Sequence, residues 1–334
     1  LSGSVFEERL LHGPNRTRLG LALLCDILDQ DAPIVEIQRF PKLWISVEGV
    51  RSHMQKTDEV LTQWTQEDLE AAIDGNRLAY SAVLGESPLG ELHVDADAFW
   101  FITGVPHAIL NGVAQAQLVE GGIEERIDAL LDPFQARRLP MHWVVSPLSE
   151  PANLGVHLQA RGLSYANDQP VMAMDLADLD DDQPLPAGLE LAMPWIQTVV
   201  DAEMLEAWLR PFGLGYQLPN PAARALAEIF AWNLDRSETY SHYLGLLDGQ
   251  PVACSSLLLA AGVAGVYNVA VVPEVRQRGI GLAMTLAPLR QARAQGYRAA
   301  ILFTSQMGYN LYRRLGFATQ FHQSLYVWSP EGAR

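Results

Sequence analysis

Residues 268–281 constrain this chain more than any other stretch. They read Asn268-Val269-Ala270-Val271-Val272-Pro273-Glu274-Val275-Arg276-Gln277-Arg278-Gly279-Ile280-Gly281, an apolar run, a proline-marked turn and the opening of a helix. The first N–H groups of a helix have no intrahelical acceptor, and the positive end of the macrodipole lies beside them. Gly279 and Gly281 let the backbone approach a ligand without intervening side chains. Arg276 and Arg278 add charge-assisted hydrogen bonds. The turn therefore suits a pyrophosphate; the plain alternative is an ordinary βα turn with its arginines in solvent. The dinucleotide fingerprint fails, because Met284 stands where its third glycine belongs. A kinase-type P-loop fails too, because no Gly-Lys-Ser/Thr follows.

The surrounding pattern fixes the order of elements. Trp195–Leu209 reads as a helix stopped by Pro211 and Gly213, and Pro221–Asn233 as a second. Asp248-Gly249 between two apolar runs predicts a hairpin, Tyr243–Leu247 with Val252–Leu259. A strand over Val266–Val272 leads into the turn. A helix over Gly281–Gln295 ends at Gly296. A strand over Ala299–Phe303, a short helix ending at Leu315 and a last strand over Phe321–Trp328 complete an ααβββαβαβ order. This is an α/β class.

At this point the sequence resembles a known family. Val271-x-Pro273-Glu274-x-Arg276-x-x-Gly279-x-Gly281 is similar to the acetyl-CoA loop of the GNAT acetyltransferase superfamily. Asn310-Leu311-Tyr312-Arg313-Arg314-Leu315-Gly316-Phe317 resembles the superfamily's late L-Y-x-x-x-G-F segment. The resemblance covers roughly residues 190–328 and implies a first strand at Leu189–Met193. It implies that the backbone of Val269, Ala270 and Val271 pairs with the pantetheine arm. It implies that the amides of Arg276, Gln277, Arg278, Gly279, Ile280 and Gly281 hold the pyrophosphate. It also implies that Tyr312 protonates the departing thiolate, where the alternative is a packed aromatic. Two features depart from the pattern. Pro288 falls inside the helix after the loop, where it should kink the axis. No carboxylate stands on the preceding strand to act as a base; Tyr267 and Asn268 are there instead.

The first half repeats the order in faded form. Gly122-Ile123 opens a helix over Glu124–Arg137. A strand over Met141–Val145, a helix over Asn153–Ala160, Gly162-Leu163 and a strand over Val171–Leu176 follow. Gly122 and Gly162 are 40 positions apart, and Gly279 and Gly316 are 37 apart. Where the second half has arginines, the first has Glu120, Glu124 and Glu125, which would repel a pyrophosphate. Leu158 stands at the position of Tyr312. The expectation is a tandem chain of two GNAT-like α/β domains, mixed sheets flanked by helices. Residues 54–176 form a degenerate copy, 177–188 an acidic, proline-containing linker and 189–334 the catalytic domain. Residues 1–53 are a native extension or a cloning remnant, since Ser52-His53-Met54 resembles a cloning scar. They contain a helix candidate at Leu19–Leu28 and an extended stretch at Ile34–Ile37.

Charge and composition narrow the function. The chain carries a net charge of −16, which argues against a nucleic-acid partner. Residues 1–188 hold 12 Lys+Arg against 29 Asp+Glu, whereas residues 189–334 hold 11 against 10. That asymmetry either keeps the protein soluble or forms an acidic wall that attracts cationic acceptors. No apolar run reaches the length of a membrane span. Two cysteines, Cys25 and Cys254, favour free thiols in a reducing compartment, hence a cytoplasmic setting. His93, His107, His142 and His157 lack metal-ligand spacing and read as surface or packing residues, so no metal is expected. Trp100, Phe101, Trp143 and Trp232 read as core. Ser255-Ser256 lacks nucleophile-elbow glycines.

The reading is an acetyl-CoA-dependent N-acetyltransferase acting on a small cationic amine, without membrane or nucleic-acid partners. An amide near Val269 would hold the oxyanion. The alternatives are a tandem transferase resembling mycothiol synthase and a CoA-binding module without turnover.

Overall fold

The computed structural model describes residues 60–180, 195–234 and 238–330. The expectations at 1–53, at 189–193, for Cys25 and for most of the linker lie outside them. In the first half the order is α1 (Gln66–Gly85), β1 (Glu91–Val94), β2 (Ala98–Ile102), β3 (Asn111–Ala116), α2 (Ile123–Ala136), β4 (Met141–Val145), α3 (Leu154–Ala160) and β5 (Ser164–Asp175). The second half runs β6 (Trp195–Thr198), α4 (Ala202–Tyr216), α5 (Asn220–Leu234), β7 (Tyr240–Leu247), β8 (Gln250–Ala260) and β9 (Val263–Val271). It ends with α6 (Ile280–Ala294), β10 (Ala299–Phe303), α7 (Gln306–Arg314) and β11 (Ala318–Trp328). Among these residues no helix is long and apolar enough to cross a membrane, and no cluster of three His, Cys, Asp or Glu could hold a metal.

All strands join one mixed sheet in the order β1-β2-β3-β4-β11-β5-β10-β9-β8-β7-β6. The two halves exchange their last strands. β5 leaves the first half to pair antiparallel with β10, Ala299 opposite Asp175 and Phe303 opposite Val171. β11 leaves the second half to pair antiparallel with β4, from Ser324–Val145 to Trp328–Met141. The exchanged strands pair with each other along the centre, with Gln323 opposite Gln169. Each half thus closes the open edge of the other, and an unpaired edge is a liability.

The helices explain how the faces are covered. Thr65 opens α1 with a capping box: its hydroxyl accepts from the Asp68 N–H while the Asp68 carboxylate accepts from Thr65 N–H at 2.9 Å. α1 crosses both halves on one face. Leu69 and Ile73 pack with Val171, Ala173, Val263 and Ile301, and Leu78 and Ala82 pack with Phe99 and Ala114. Asn76, fully buried, donates to the carbonyls of Leu258, Ala260 and Val263 at 3.0–3.2 Å. α4 and α5 cover the same face. On the opposite face α6 and α7 cover the second half, and α2 and α3 the first.

One helix differs from expectation. Residues 195–198 form a strand, and the helix runs from Ala202 to Tyr216, with Pro211 and Gly213 inside it. Asp201 caps it, accepting from Met204 N–H at 2.8 Å. The buried stripe Leu205, Trp208, Leu209 and Phe212 continues through the proline. A lost backbone hydrogen bond is outweighed by that burial, and the helix stops only at Gln217, which is left-handed with φ 54°. Pro288 likewise lies inside a continuous α6. Trp100, Phe101 and Trp143 are core residues, but Trp232 is 38% exposed because it falls outside the buried stripe Ala222, Leu226, Ile229, Phe230 and Asn233 of α5.

Candidate active site

The site begins where two parallel strands part. β9 and β10 pair only at Ala264–Ala300, Gly265–Ile301 and Val266–Leu302. Beyond them β9 runs on to Val271 while β10 ends at Phe303. A bulge accompanies the divergence: the register against β8 shifts between Cys254 and Ser256, and Asn268 takes a left-handed conformation, φ 56°. Asparagine tolerates that region better than most residues. Its side chain is fixed by a buried network. Asn268 Nδ2 donates to Tyr240 Oη and Ser256 Oγ, and Tyr80 Oη donates to Asn268 Oδ1 at 3.1 Å. The Tyr80 ring stacks on Tyr267 with 4.4 Å between centroids.

A cavity of about 1340 Å³ passes through the gap. Val269, Ala270, Val271, Arg276, Gln277, Gly279, Ile280, Gly281 and Tyr312 all line it, so the structure gathers nearly every residue singled out from the sequence. Arg278 is the exception; it is exposed on the loop and outside the lining. Gly279 is the left-handed N-cap of α6, φ 77°, with no side-chain cap, so the helix's first N–H groups stay available. Gln277 is left-handed as well, φ 60°. Arg276 braces the loop from within, since its Nε donates to the Val271 carbonyl at 3.0 Å and ties the turn to β9. A Cβ at Gly281 would meet Leu311 and Val271 only at ordinary contact, 3.6 and 3.8 Å. Its glycine therefore matters for what enters the cavity, not for the packing of the free chain.

Tyr312 stands on α7 across the gap. It is 9% exposed, and its ring packs edge-on to Phe317 with 6.1 Å between centroids. A Cβ at Gly308 would lie 2.8 Å from Tyr312 Cε2, so that glycine sets the ring's position. Burial pushes the phenol up to about 12, with a hydrogen bond to Thr285 pulling the other way. The same burial pushes Tyr80 up to about 12 and holds His142 below the ordinary imidazole range.

The first half shows how the same design closes. Its parallel pair, β3 and β4, also parts after two residue pairs, Gly112–His142 and Val113–Trp143, beside a register shift in β3. Gly122 is again a left-handed N-cap, φ 93°, and Gly162 matches Gly316 with φ 87° against 98°. Here, however, the chain after β4 returns to β3: Leu118 N–H donates to Glu150 O at 2.9 Å and Glu150 N–H to Ala116 O at 3.2 Å. Side chains from α1 fill the gap. Asp74 pairs with Arg77 at 2.6 Å and accepts from Gln115 and Ser146, while Arg77 also donates to the Ala114 carbonyl. Leu158 is fully buried.

Sequence reasoning missed the contribution of α1. Arg77, Tyr80, Ser81 and Leu84 line the cavity, joined by Phe101, Ile109 and His142. The first half therefore does form a wall of the cavity, and its described part is not acidic. No Asp or Glu is among the described residues that line it. Asp74, beside it on α1, pairs with the lining residue Arg77 at 2.6 Å.

Residues 202–317 match the model of the acetyltransferase (GNAT) family. Among solved structures, a GCN5-related N-acetyltransferase from Kribbella flavida is 20% identical, with a TM-score of 0.55 over 77% of this chain and 96% of that one. A tandem GNAT protein from the clavulanic acid biosynthesis pathway is 14% identical, with a TM-score of 0.52 over 81% and 96%. A functionally unknown conserved protein from Staphylococcus epidermidis is 12% identical, with a TM-score of 0.51 over 71% and 92%. No curated protein matches in sequence. The described residues have the mixed α/β tandem GNAT fold. The family match falls wholly within the second half, at residues 202–317.

Proposed function

We propose that this protein transfers an acetyl group from acetyl-CoA to a small cationic amine, using the gap between β9 and β10 of its second half. The observation that carries the reading is the contrast between the halves. One gap is open, lined by an uncapped helix start and faced by Tyr312; its counterpart is sealed by backbone pairing and by Asp74–Arg77.

The residues present fit the cofactor's chemistry. The α6 N-terminus, with Gly279 and Gly281, offers amides and a positive dipole end to a pyrophosphate. The edge of β9 over Val269–Val271 offers backbone groups to an amide-bearing arm, since β10 has ended. The bulge at Asn268 breaks the ladder beside Val269, where an amide can face the charge developing on the thioester oxygen. The amine forms the new C–N bond as the C–S bond breaks; it loses a proton and the sulfur gains one. Tyr312 keeps its proton at every physiological pH and can donate it toward the sulfur.

Among the described residues no carboxylate lines the cavity, so on this reading the amine loses its proton to water or arrives neutral. The excess of acids over bases in residues 1–188 draws cations toward the molecule over distance.

Release of CoA from acetyl-CoA, followed across a panel of amines at two salt concentrations, tests the reading. Amine-dependent release is expected, and kcat/KM for the best amine falls as the Debye length shrinks from about 10 Å at 0.1 M to about 3 Å at 1 M salt. Tight CoA binding without release for any amine would replace an enzyme by a binding module. A best acceptor indifferent to salt would remove the electrostatic argument for a cation.

A further inference from the structure

On the acetyltransferase reading, we infer that the acceptor is an amphipathic amine, with its nitrogen at the β9–β10 gap and its apolar body lying along the floor made by the exchanged strands. The cavity does not end at the reaction centre. It continues on the α1 face across β5 and β11 as far as β4, where His142 and Val144 belong to its lining. From β10 to β4 is three interstrand steps, about 14 Å. A small hydrophilic amine would leave most of that length empty.

The chemistry of the walls selects the body. Val144, Leu325 and Val327, on adjacent strands, form the far floor, and Leu84, Phe101 and Ile109 add to the apolar lining. Some of the floor's polar groups are engaged: Gln323 Nε2 donates to Gln169 Oε1 at 2.8 Å, and the His142 ring bonds the Ala108 carbonyl at 2.9 Å, whereas Gln323 Oε1 is a buried acceptor without a partner. The charge of Arg77, the cation lining this end, is matched by Asp74 at 2.6 Å. With no carboxylate among the described lining residues, a second ammonium along the body would be desolvated without a counter-charge, with one amide oxygen, Gln323 Oε1, free to accept from it. The lining also carries exposed apolar surface: Ile109, Tyr216 and Met307 are 42%, 46% and 78% exposed. A polyamine is therefore a poor fit and an alkyl or aryl-alkyl primary amine a good one. The floor exists only because β11 and β5 trade places, since neither half alone supplies both Leu325 and Val144.

The test is kcat/KM of the full chain with acetyl-CoA and a series of unbranched primary alkylamines from butylamine upward, with spermidine as the charged comparison. Each added methylene that reaches the floor should raise kcat/KM by up to about fourfold, with a plateau once the 14 Å or so is filled. Spermidine should fall well below the alkylamine of similar length. Val327→Asp should flatten the rise with chain length for the long amines; Ile109→Asp, at an exposed position, should flatten it likewise without touching the sheet. A wild-type series indifferent to length, or spermidine outperforming its alkyl counterpart, overturns the inference while leaving acetyl transfer intact. Failure of every amine to release CoA overturns the acetyltransferase reading itself, and the inference with it.

Discussion

Replacing Tyr312 by Phe removes one oxygen from a ring that is 9% exposed and packed on Phe317. The ring should stay in place. Thr285 still donates to the Gly281 carbonyl at 2.9 Å, so no buried donor is orphaned. The stability cost should be that of one hydrogen bond, about 0.5–1.5 kcal/mol. The kinetic cost follows from proton affinities. General acid catalysis is typically worth about 10²–10⁴ in rate. Burial holds Tyr312 at about 12, whereas a thiol ordinarily titrates near about 8.5. Full transfer to a free thiolate would run uphill by roughly 3.5 units, about 5 kcal/mol. Tyr312 therefore acts mainly as a hydrogen-bond donor to sulfur as charge develops, and the loss should sit at the low end, near 10². The assay is kcat from CoA release under saturating amine, with acetyl-CoA affinity measured by calorimetry on the same variant. The expected result is a fall in kcat of about a hundredfold with affinity within a few-fold. Turnover within threefold or so of wild type would show another group to be the donor. An equal loss of affinity and rate would make Tyr312 a wall of the binding site and nothing more.

Two further outcomes follow from the packing. His242 is 1% exposed, its Nδ1 bonds Ser256 Oγ at 2.8 Å, and burial lowers it to about 3. An imidazole lowered on folding stays neutral in the native state while the unfolded chain takes up a proton. Its contribution is thus intact above about pH 6.5 and is lost as pH falls toward its folded value. By pH 5 the loss is about 2 kcal/mol, so His242→Asn should narrow the difference in urea stability between pH 7.5 and pH 5 by roughly that amount; an unchanged difference would contradict it. Asn76→Leu removes the donor shared by three carbonyls and the acceptor of Tyr267 Oη at 2.8 Å. It should cost about 2–3 kcal/mol in chemical denaturation, and a neutral result would show that α1 is held by apolar contacts alone.

How much of this was legible in the sequence depends on how locally each feature is encoded. The turn at Asp248-Gly249 was readable because both residues must be left-handed, φ 51° and 74°, and the pair says so chemically. The next turn, Ala261-Gly262, adopts the same geometry with φ 53° and 74° but opens on an alanine, which gives no such signal, so β9 starts earlier than expected. The β10 strand and the loop-to-helix turn were readable because an apolar run and paired glycines mark them. α1 escaped because its middle is buried all round, from Asp74 to Ala79, and so shows no amphipathic stripe. The Thr65–Asp68 capping box was the signal that could have found it. The strand exchange left no trace, because a strand's sequence states its faces and not its neighbours. For the same reason the acidic sum of residues 1–188 does not say which side chains turn inward: that depends on α1, β4 and β11 meeting, and among the described residues no acid lines the cavity.

The central claim is that one gap of the tandem sheet binds acetyl-CoA and its counterpart does not. Isothermal titration of the full chain with acetyl-CoA tests it directly, on wild type and on Gly279→Val, which forces a β-branched residue into φ 77° at the α6 N-cap. The account predicts one site per chain in the wild type and a sharp loss of affinity in the variant, with the fold retained. Two sites per chain, or an affinity indifferent to Gly279, would contradict it.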